Sequence, residues 1–332
     1  MSQSFFFGSL GLLLCVVMSC TTQHSAEPTE SLIDVPPGFP EQNIPTDNQP
    51  TAERIRLGKM LFYSTELSRT RTVSCASCHD PSRAFTDGRT TSVGVEDRVG
   101  TRNAPSLANV GYLPYFMREG GVPTLEMQVL VPVQEHHEFD MNMLDVVERL
   151  RQDVELREFS RAAYQRDLDA YVITRAIACF ERTLVSGRSR ADQQQLTEQE
   201  ERGRSLFMSA RTGCTSCHGG VLYTSHAFTN NGVLETYTDV GRYRLTNVES
   251  DRFMFKVPSL RNVGITAPYM HNGTIATLRE VIDRYNRGGM GHPATDARIV
   301  PLGLRDDECN DLEAFLRSLT DEQFINDPRF RP

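Results

Sequence analysis

The chain of 332 residues contains no tryptophan, so no chemistry that needs an indole ring is open to it. It also lacks a hydrophobic run suited to crossing a bilayer: Phe5 to Val17 is apolar but too short to span comfortably. Positive charge is not in excess. The formal net charge is −8, which argues against a nucleic-acid partner and suits a basic or neutral protein surface. Strand signals are weak through the long Gly/Pro/Asn-rich stretches, which removes support for a β architecture. Hydrophobic content is ordinary, and the length is enough for two domains.

What the chain does have is a pentapeptide written twice: Cys75-Ala76-Ser77-Cys78-His79 and Cys214-Thr215-Ser216-Cys217-His218. At this spacing two thiols can add across the vinyl groups of a porphyrin while the following histidine turns back to ligate the iron. Each copy therefore specifies one covalently bound c-type haem. A lone Cys-X-X-Cys also suits a dithiol redox pair, and two such pairs could share one zinc. Neither alternative requires a histidine immediately after both pairs. Cys179 and Cys309 read as buried free thiols, with a disulfide left open.

Met1 to Cys20 reads as a targeting signal. Val17-Met18-Ser19-Cys20 resembles a lipobox, which makes Cys20 a candidate for acylation and membrane tethering, although no Lys or Arg precedes the apolar run. Either form of the signal places the protein outside the cytoplasm, in the periplasm, where c-type haems are attached. Residues 21–50, rich in Pro, Thr, Gln and Glu, read as a flexible linker. Helical spacing then appears over 51–62, 145–156, 170–185, 198–208, 277–285 and 306–319. The segment before each haem motif repeats a pattern: Arg56-Leu57-Gly58-Lys59-Met60-Leu61-Phe62 against Glu201-Arg202-Gly203-Arg204-Ser205-Leu206-Phe207. An internal duplication explains it. The long loops 80–123 and 219–273 need something to wrap, and haems would supply it. The expected fold is mainly α: two cytochrome c-like domains with long haem-wrapping loops, an N-terminal peroxidatic haem domain over 51–190 and a C-terminal electron-transfer haem domain over 191–325.

Further blocks accompany the haem motifs: Leu57 to Phe62, Arg102-Asn103-Ala104-Pro105-Ser106-Leu107, Leu125-Glu126-Met127-Gln128 with Pro132 beyond, and Val257 to Val263 running on to Ala267-Pro268-Tyr269-Met270-His271-Asn272-Gly273. With these, the chain from about Arg54 to Leu319 resembles the bacterial di-haem cytochrome c peroxidases and their MauG-like relatives. The resemblance implies that His79 is the proximal ligand of a peroxide-reactive haem and His218 that of a relay haem. It implies that Glu138 is the catalytic carboxylate, with Gln128 and Pro132 lining the same pocket. A carboxylate can take a proton from one peroxide oxygen and return it to the other. It also implies a calcium ion held by Asn103 and the backbone carbonyls of Thr266 and Pro268, an oxygen-only set suited to Ca²⁺. Lys256 and Arg261 are candidate propionate partners.

Three departures matter. Val95 stands where many of these peroxidases carry an iron-capping histidine, so the first haem is expected to be open unless His136 or His137 caps it. Tyr285 stands where the relay haem usually takes a methionine. A phenolate oxygen is a hard donor that favours oxidised iron; Met270 and Met290 are the alternative ligands. The usual inter-haem tryptophan is absent, with Phe116 or Met117 near its place. The leading function is an exported peroxidase that reduces hydrogen peroxide with electrons from a small cytochrome c or cupredoxin. A MauG-like maturase, oxidising side chains of a partner protein with peroxide-derived high-valent haem iron, is the alternative; a passive two-haem electron carrier is the third. A homodimer stays open.

Overall fold

A computed structural model describes residues 32–332, together with residues 1, 2 and 4. The expected signal, Cys20 and residues 21–31 of the expected linker lie outside the described residues. Seven helices of eight residues or more carry the fold: α1 (Ala52–Tyr63), α2 (Met143–Leu150), α3 (Val154–Tyr164), α4 (Ala170–Arg182), α5 (Glu198–Met208), α6 (Leu278–Asn286) and α7 (Asp306–Ser318). The described strands are a two-residue antiparallel pair, β1 (Phe228–Thr229) and β2 (Phe255–Lys256), with Phe228 opposite Lys256. The mainly α expectation holds.

The first six of these helices each start at a side chain that accepts an otherwise unpaired backbone N–H. Thr51 caps α1, Asp169 caps α4, Thr197 and Glu200 form a capping box on α5, and Thr277 caps α6. The expected single helix over 145–156 is two. Asp153 leaves the helical conformation and caps α3 through Leu156 N–H, so the chain turns between α2 and α3.

Two helix pairs form the scaffold. In the first, α1 lies on α4, and Gly58 faces the Ala176 carbonyl and Phe180 so closely that a Cβ would collide with both. In the second, α5 lies on α7, and Gly203 meets the Asp311 carbonyl and Phe315 in the same way. The duplicated glycine is therefore a contact residue, present because two helix backbones approach without room for a side chain.

Two hydrophobic clusters follow. The first gathers Leu57, Leu61, Phe62, Phe85, Ile173, Ile177 and Phe180. The second gathers Phe207, Leu278, Ile282, Leu312, Phe315 and Leu319. Two segments cross the expected boundaries. After α7 the chain returns to the first cluster, where Phe324 and Phe330 pack on Phe85 with ring centroids 5.7 and 6.1 Å away. At the other end, residues 32–50 are not a free tether. Asn48 is fully buried and donates to Glu126 Oε1 at 2.8 Å, Gln42 donates to the Arg182 carbonyl, and Phe39 meets the Tyr112 ring edge-on. Apolar and amide groups within that Pro-rich stretch find buried partners, which composition alone does not disclose.

Candidate active site

Both haem motifs form a single tight turn, with the histidine N–H bonded to the carbonyl of the first cysteine, His79 to Cys75 and His218 to Cys214. Beyond each motif the chain folds back and offers a carbonyl to the histidine ring. His79 Nδ1 lies 2.8 Å from the Phe85 carbonyl oxygen, and His218 Nδ1 lies 3.1 Å from that of Tyr223. A carbonyl can only accept, so Nδ1 carries the proton and Nε2 keeps its lone pair. Burial lowers the pKa of both rings and keeps them neutral. Cys75, Cys78, Cys214 and Cys217 are free thiols beside them. Neutral imidazoles with a free Nε2 next to paired thiols fit covalent haem attachment. The zinc alternative has no geometric support, since no cluster of three or more His, Cys, Asp or Glu among the described residues could hold an ion. Cys179 and Cys309 are buried and not in a disulfide.

In the N-terminal unit, two short helical turns, Leu125–Gln128 and Leu130–Gln134, follow the Thr124 cap. They place Gln128 and Pro132 one turn apart on one face. The Pro132 carbonyl accepts the Phe139 N–H, which brings Glu138 next to it. Val95, fully buried, donates its N–H to the Glu138 carbonyl at 2.9 Å. The expected capping loop thus closes against Glu138 with an alkyl side chain. Burial pushes the Glu138 carboxyl up to about 7, helped by Glu135 and opposed by His137. Its charge also acts on Cys75 and Cys78, so carboxyl and first haem motif share a neighbourhood. His136 and His137 turn outward. Their side chains are 61% and 46% exposed and pair with Asp140 and Glu135.

In the C-terminal unit, Tyr285 sits near the end of α6, and Cys217 and Cys214 act on its hydroxyl. Burial raises its pKa. Met290, one alternative, is 38% exposed. Met270, the other, shares the Asn231 amide with Tyr285: Asn231 Nδ2 is 3.3 Å from Met270 Sδ and 3.2 Å from the Tyr285 hydroxyl.

The duplication runs further than the entry helices. Pro105-Ser106-Leu107 and Asn109-Val110-Gly111 match Pro258-Ser259-Leu260 and Asn262-Val263-Gly264 in order and spacing. Ser106 and Ser259 each donate to a carbonyl in the loop behind their haem motif, Ala84 and Leu222. The bridge Phe116 to Val122 matches Tyr269 to Ile275. Thr124 and Thr277 cap the next helices. Kept in step, Leu125 falls on Leu278 and Pro132 falls on Tyr285. This register pairs Pro132 with Tyr285 on the order of residues alone.

In the same register Arg118, which is half-buried, falls on His271, which is buried. Its guanidinium donates to the Asn103 carbonyl at 2.7 Å and to Asn103 Oδ1 at 3.0 Å, while its own carbonyl accepts the Lys256 N–H. Burial pulls its pKa down to about 10, so it stays a cation at neutral pH. The Asn103 oxygen expected to face calcium therefore already accepts from a fixed positive charge, and a cation there would share it with Arg118. Arg261 is likewise committed, in a buried ion pair with Asp192 at 2.8 Å, rather than free for a propionate. Lys256 Nζ donates to the Tyr115 carbonyl at 2.8 Å, and burial lowers its pKa to about 8. Glu181, not anticipated, is a buried acid on α4 whose charge acts on Cys75 and whose pKa burial raises to about 8.

Comparison with known proteins gives a consistent result. A family described as di-haem cytochrome c peroxidase matches residues 52–201, and the cytochrome c family matches residues 200–320. The chain is 35% identical to the methylamine utilization protein MauG of Methylorubrum extorquens, over 84% of this chain and 81% of that one. It is 32% identical to the cytochrome-c peroxidase IdrP2 of Denitromonas iodatirespirans, over 85% of each. Among solved structures, a MauG-like protein associated with microbial copper homeostasis superposes with a TM-score of 0.85 at 36% identity, covering 90% of this chain and 97% of that one.

Proposed function

The chain belongs to the family of di-haem cytochrome c peroxidases and MauG proteins, and from that membership we propose that it is an exported, periplasmic enzyme that reduces hydrogen peroxide at its N-terminal haem, over residues 51–190, and relays electrons through its C-terminal haem. The observation that carries this reading is the half-buried Glu138 carboxyl, its pKa raised by desolvation, beside Pro132 and Val95, two residues that cannot ligate iron. Cys75, Cys78 and His79 would hold the N-terminal haem; Cys214, Cys217, His218 and Tyr285 the C-terminal one. The bound haems supply redox-active iron.

The protein's own residues manage the proton. Glu138, poised near neutrality, takes a proton from one peroxide oxygen and returns it to the other, which leaves as water. Gln128 and Pro132 confine the peroxide, and Val95 keeps the loop opposite closed and apolar. Overall one peroxide, two electrons and two protons give two waters. The electrons come from a small cytochrome c or cupredoxin.

A second reading is favoured by Tyr285 together with Val95: a MauG-like maturase, in which the electrons come from a side chain of a partner protein. A hard phenolate donor suits a relay haem that shares oxidising equivalents. A passive carrier would have no use for a buried carboxyl at an open site.

The test is to add peroxide to the all-ferric holoprotein. A direct spectral response is expected for an open N-terminal haem, and no response without prior reduction would count against the assignment. Glu138→Gln should slow that response by about 10²–10⁴-fold; an unchanged rate would remove Glu138 from the chemistry.

A further inference from the structure

We propose that Asn231 determines which side chain ligates the C-terminal haem, holding Tyr285 as the ligand and keeping the Met270 sulfur away. The inference rests on the reading of Tyr285 as an iron ligand and adds a residue that sets the choice.

Asn231 follows β1 in a backbone fixed from several sides. Asn230 accepts from Gly232 N–H at 2.8 Å and receives Asp296 N–H on its carbonyl, and the Gly232 carbonyl accepts from Met290 N–H at 2.7 Å. The orientation of the Asn231 amide is set by its partners. Its Oδ1 faces two groups that can donate, the Val233 N–H and the Tyr237 hydroxyl, each at 3.4 Å. The NH₂ end therefore points the other way, at two acceptors, Tyr285 Oη at 3.2 Å and Met270 Sδ at 3.3 Å. One amide spends both protons on the two side chains that compete for one iron.

The consequences for the two are opposite. A phenolate bound to iron keeps further lone pairs, so it can accept the Asn231 proton and be stabilised as an anion. A thioether has little basicity to spare, and engaging its sulfur lone pair weakens it as a ligand. Met270 is also held in the left-handed backbone region, at φ 74°. The next residue, His271, stacks on the Tyr237 ring at 5.7 Å and 12°, and on Phe255 at 4.0 Å and 16°. Tyr237 thus braces both the amide and the backbone that carries the methionine. It serves as the support of a lock whose bolt is Asn231.

The experiment compares ferric holoprotein of the natural sequence with Asn231→Leu, which keeps the bulk and removes both donors, and Asn231→Asp, which keeps the shape and replaces the NH₂ by oxygen. Resonance Raman reads iron–phenolate modes, and the red absorption edge reads the thioether–ferric band. Removing the donors is expected to lower the ratio of tyrosinate to thioether ligation by about tenfold or more, and Met270→Leu in the same background should abolish the new thioether band. Both variants retaining the natural spectrum would overturn the proposal, as would loss of tyrosinate without a band that depends on Met270. If the natural protein itself shows no iron–phenolate modes, it is the ligand assignment of Tyr285 that fails, a result distinct from the others.

Discussion

The N-terminal unit carries Pro132 where the C-terminal unit carries Tyr285, on helices that start from matching threonine caps. Around that difference the two units agree. A glycine lets one helix lie on another at Gly58 and at Gly203. A carbonyl orients each proximal histidine. A serine ties the following loop to the back of each motif. The same scaffold thus carries a proline at one matched position and a phenol at the other. On the proposed reading, the chemistry of each unit follows from that residue and its surroundings, since one fold can host different sites. The surroundings differ as well. Glu138 enters beside the proline from a loop with no counterpart among the matched blocks, whereas Asn231 reaches the tyrosine from the loop that follows β1.

The comparison is broken most severely by Pro132→Tyr, which gives the N-terminal unit the residue of its twin. Peroxide should no longer perturb the ferric spectrum, and the N-terminal haem should read as six-coordinate; a persistent response would show that the register does not locate the distal position. Next in size is Phe324→Ala. It should cost about 3–5 kcal/mol in denaturant unfolding of the N-terminal unit, with the C-terminal unit little changed, because Phe324 packs on Phe85 and Phe330. Gly58→Ala and Gly203→Ala should each cost about 1–3 kcal/mol, each in its own unit, if the helix contacts are equivalent. The smallest effect sharpens the chemistry. Burial holds Glu138 near pH 7, and the carboxylate is the form that accepts a proton. The rate of the peroxide response should therefore rise with pH, by about tenfold from roughly pH 6 to pH 8. The same profile should be flat in Glu138→Gln.

Much of this is legible in the amino-acid order. The haem motifs, the entry helices and the glycine they share are local patterns, and local hydrogen bonding fixes them. Glu138, Val95 and Tyr285 follow from the family resemblance, not from any local pattern. What stays hidden depends on distant partners. Nothing in the composition of residues 32–50 says that Asn48 will meet Glu126. Nothing around Arg118 says that its guanidinium will donate to both Asn103 oxygens. The break before α3 is readable in principle from Asp153 as a helix cap, but the apolar periodicity runs through it. Asn231 is silent in sequence because its role exists only where Tyr237, Met270 and Tyr285 converge on it.

Phe324 and Phe330 lie far along the chain, yet they finish the core around Phe85, whose carbonyl orients His79. A ribosome delivers them after the rest of that core. Until they arrive, the N-terminal haem pocket is missing part of its wall, whatever the state of the rest. A truncated product that stops before Phe324 would thus carry the first haem motif without its finished enclosure, and quality control could act on that exposed apolar surface.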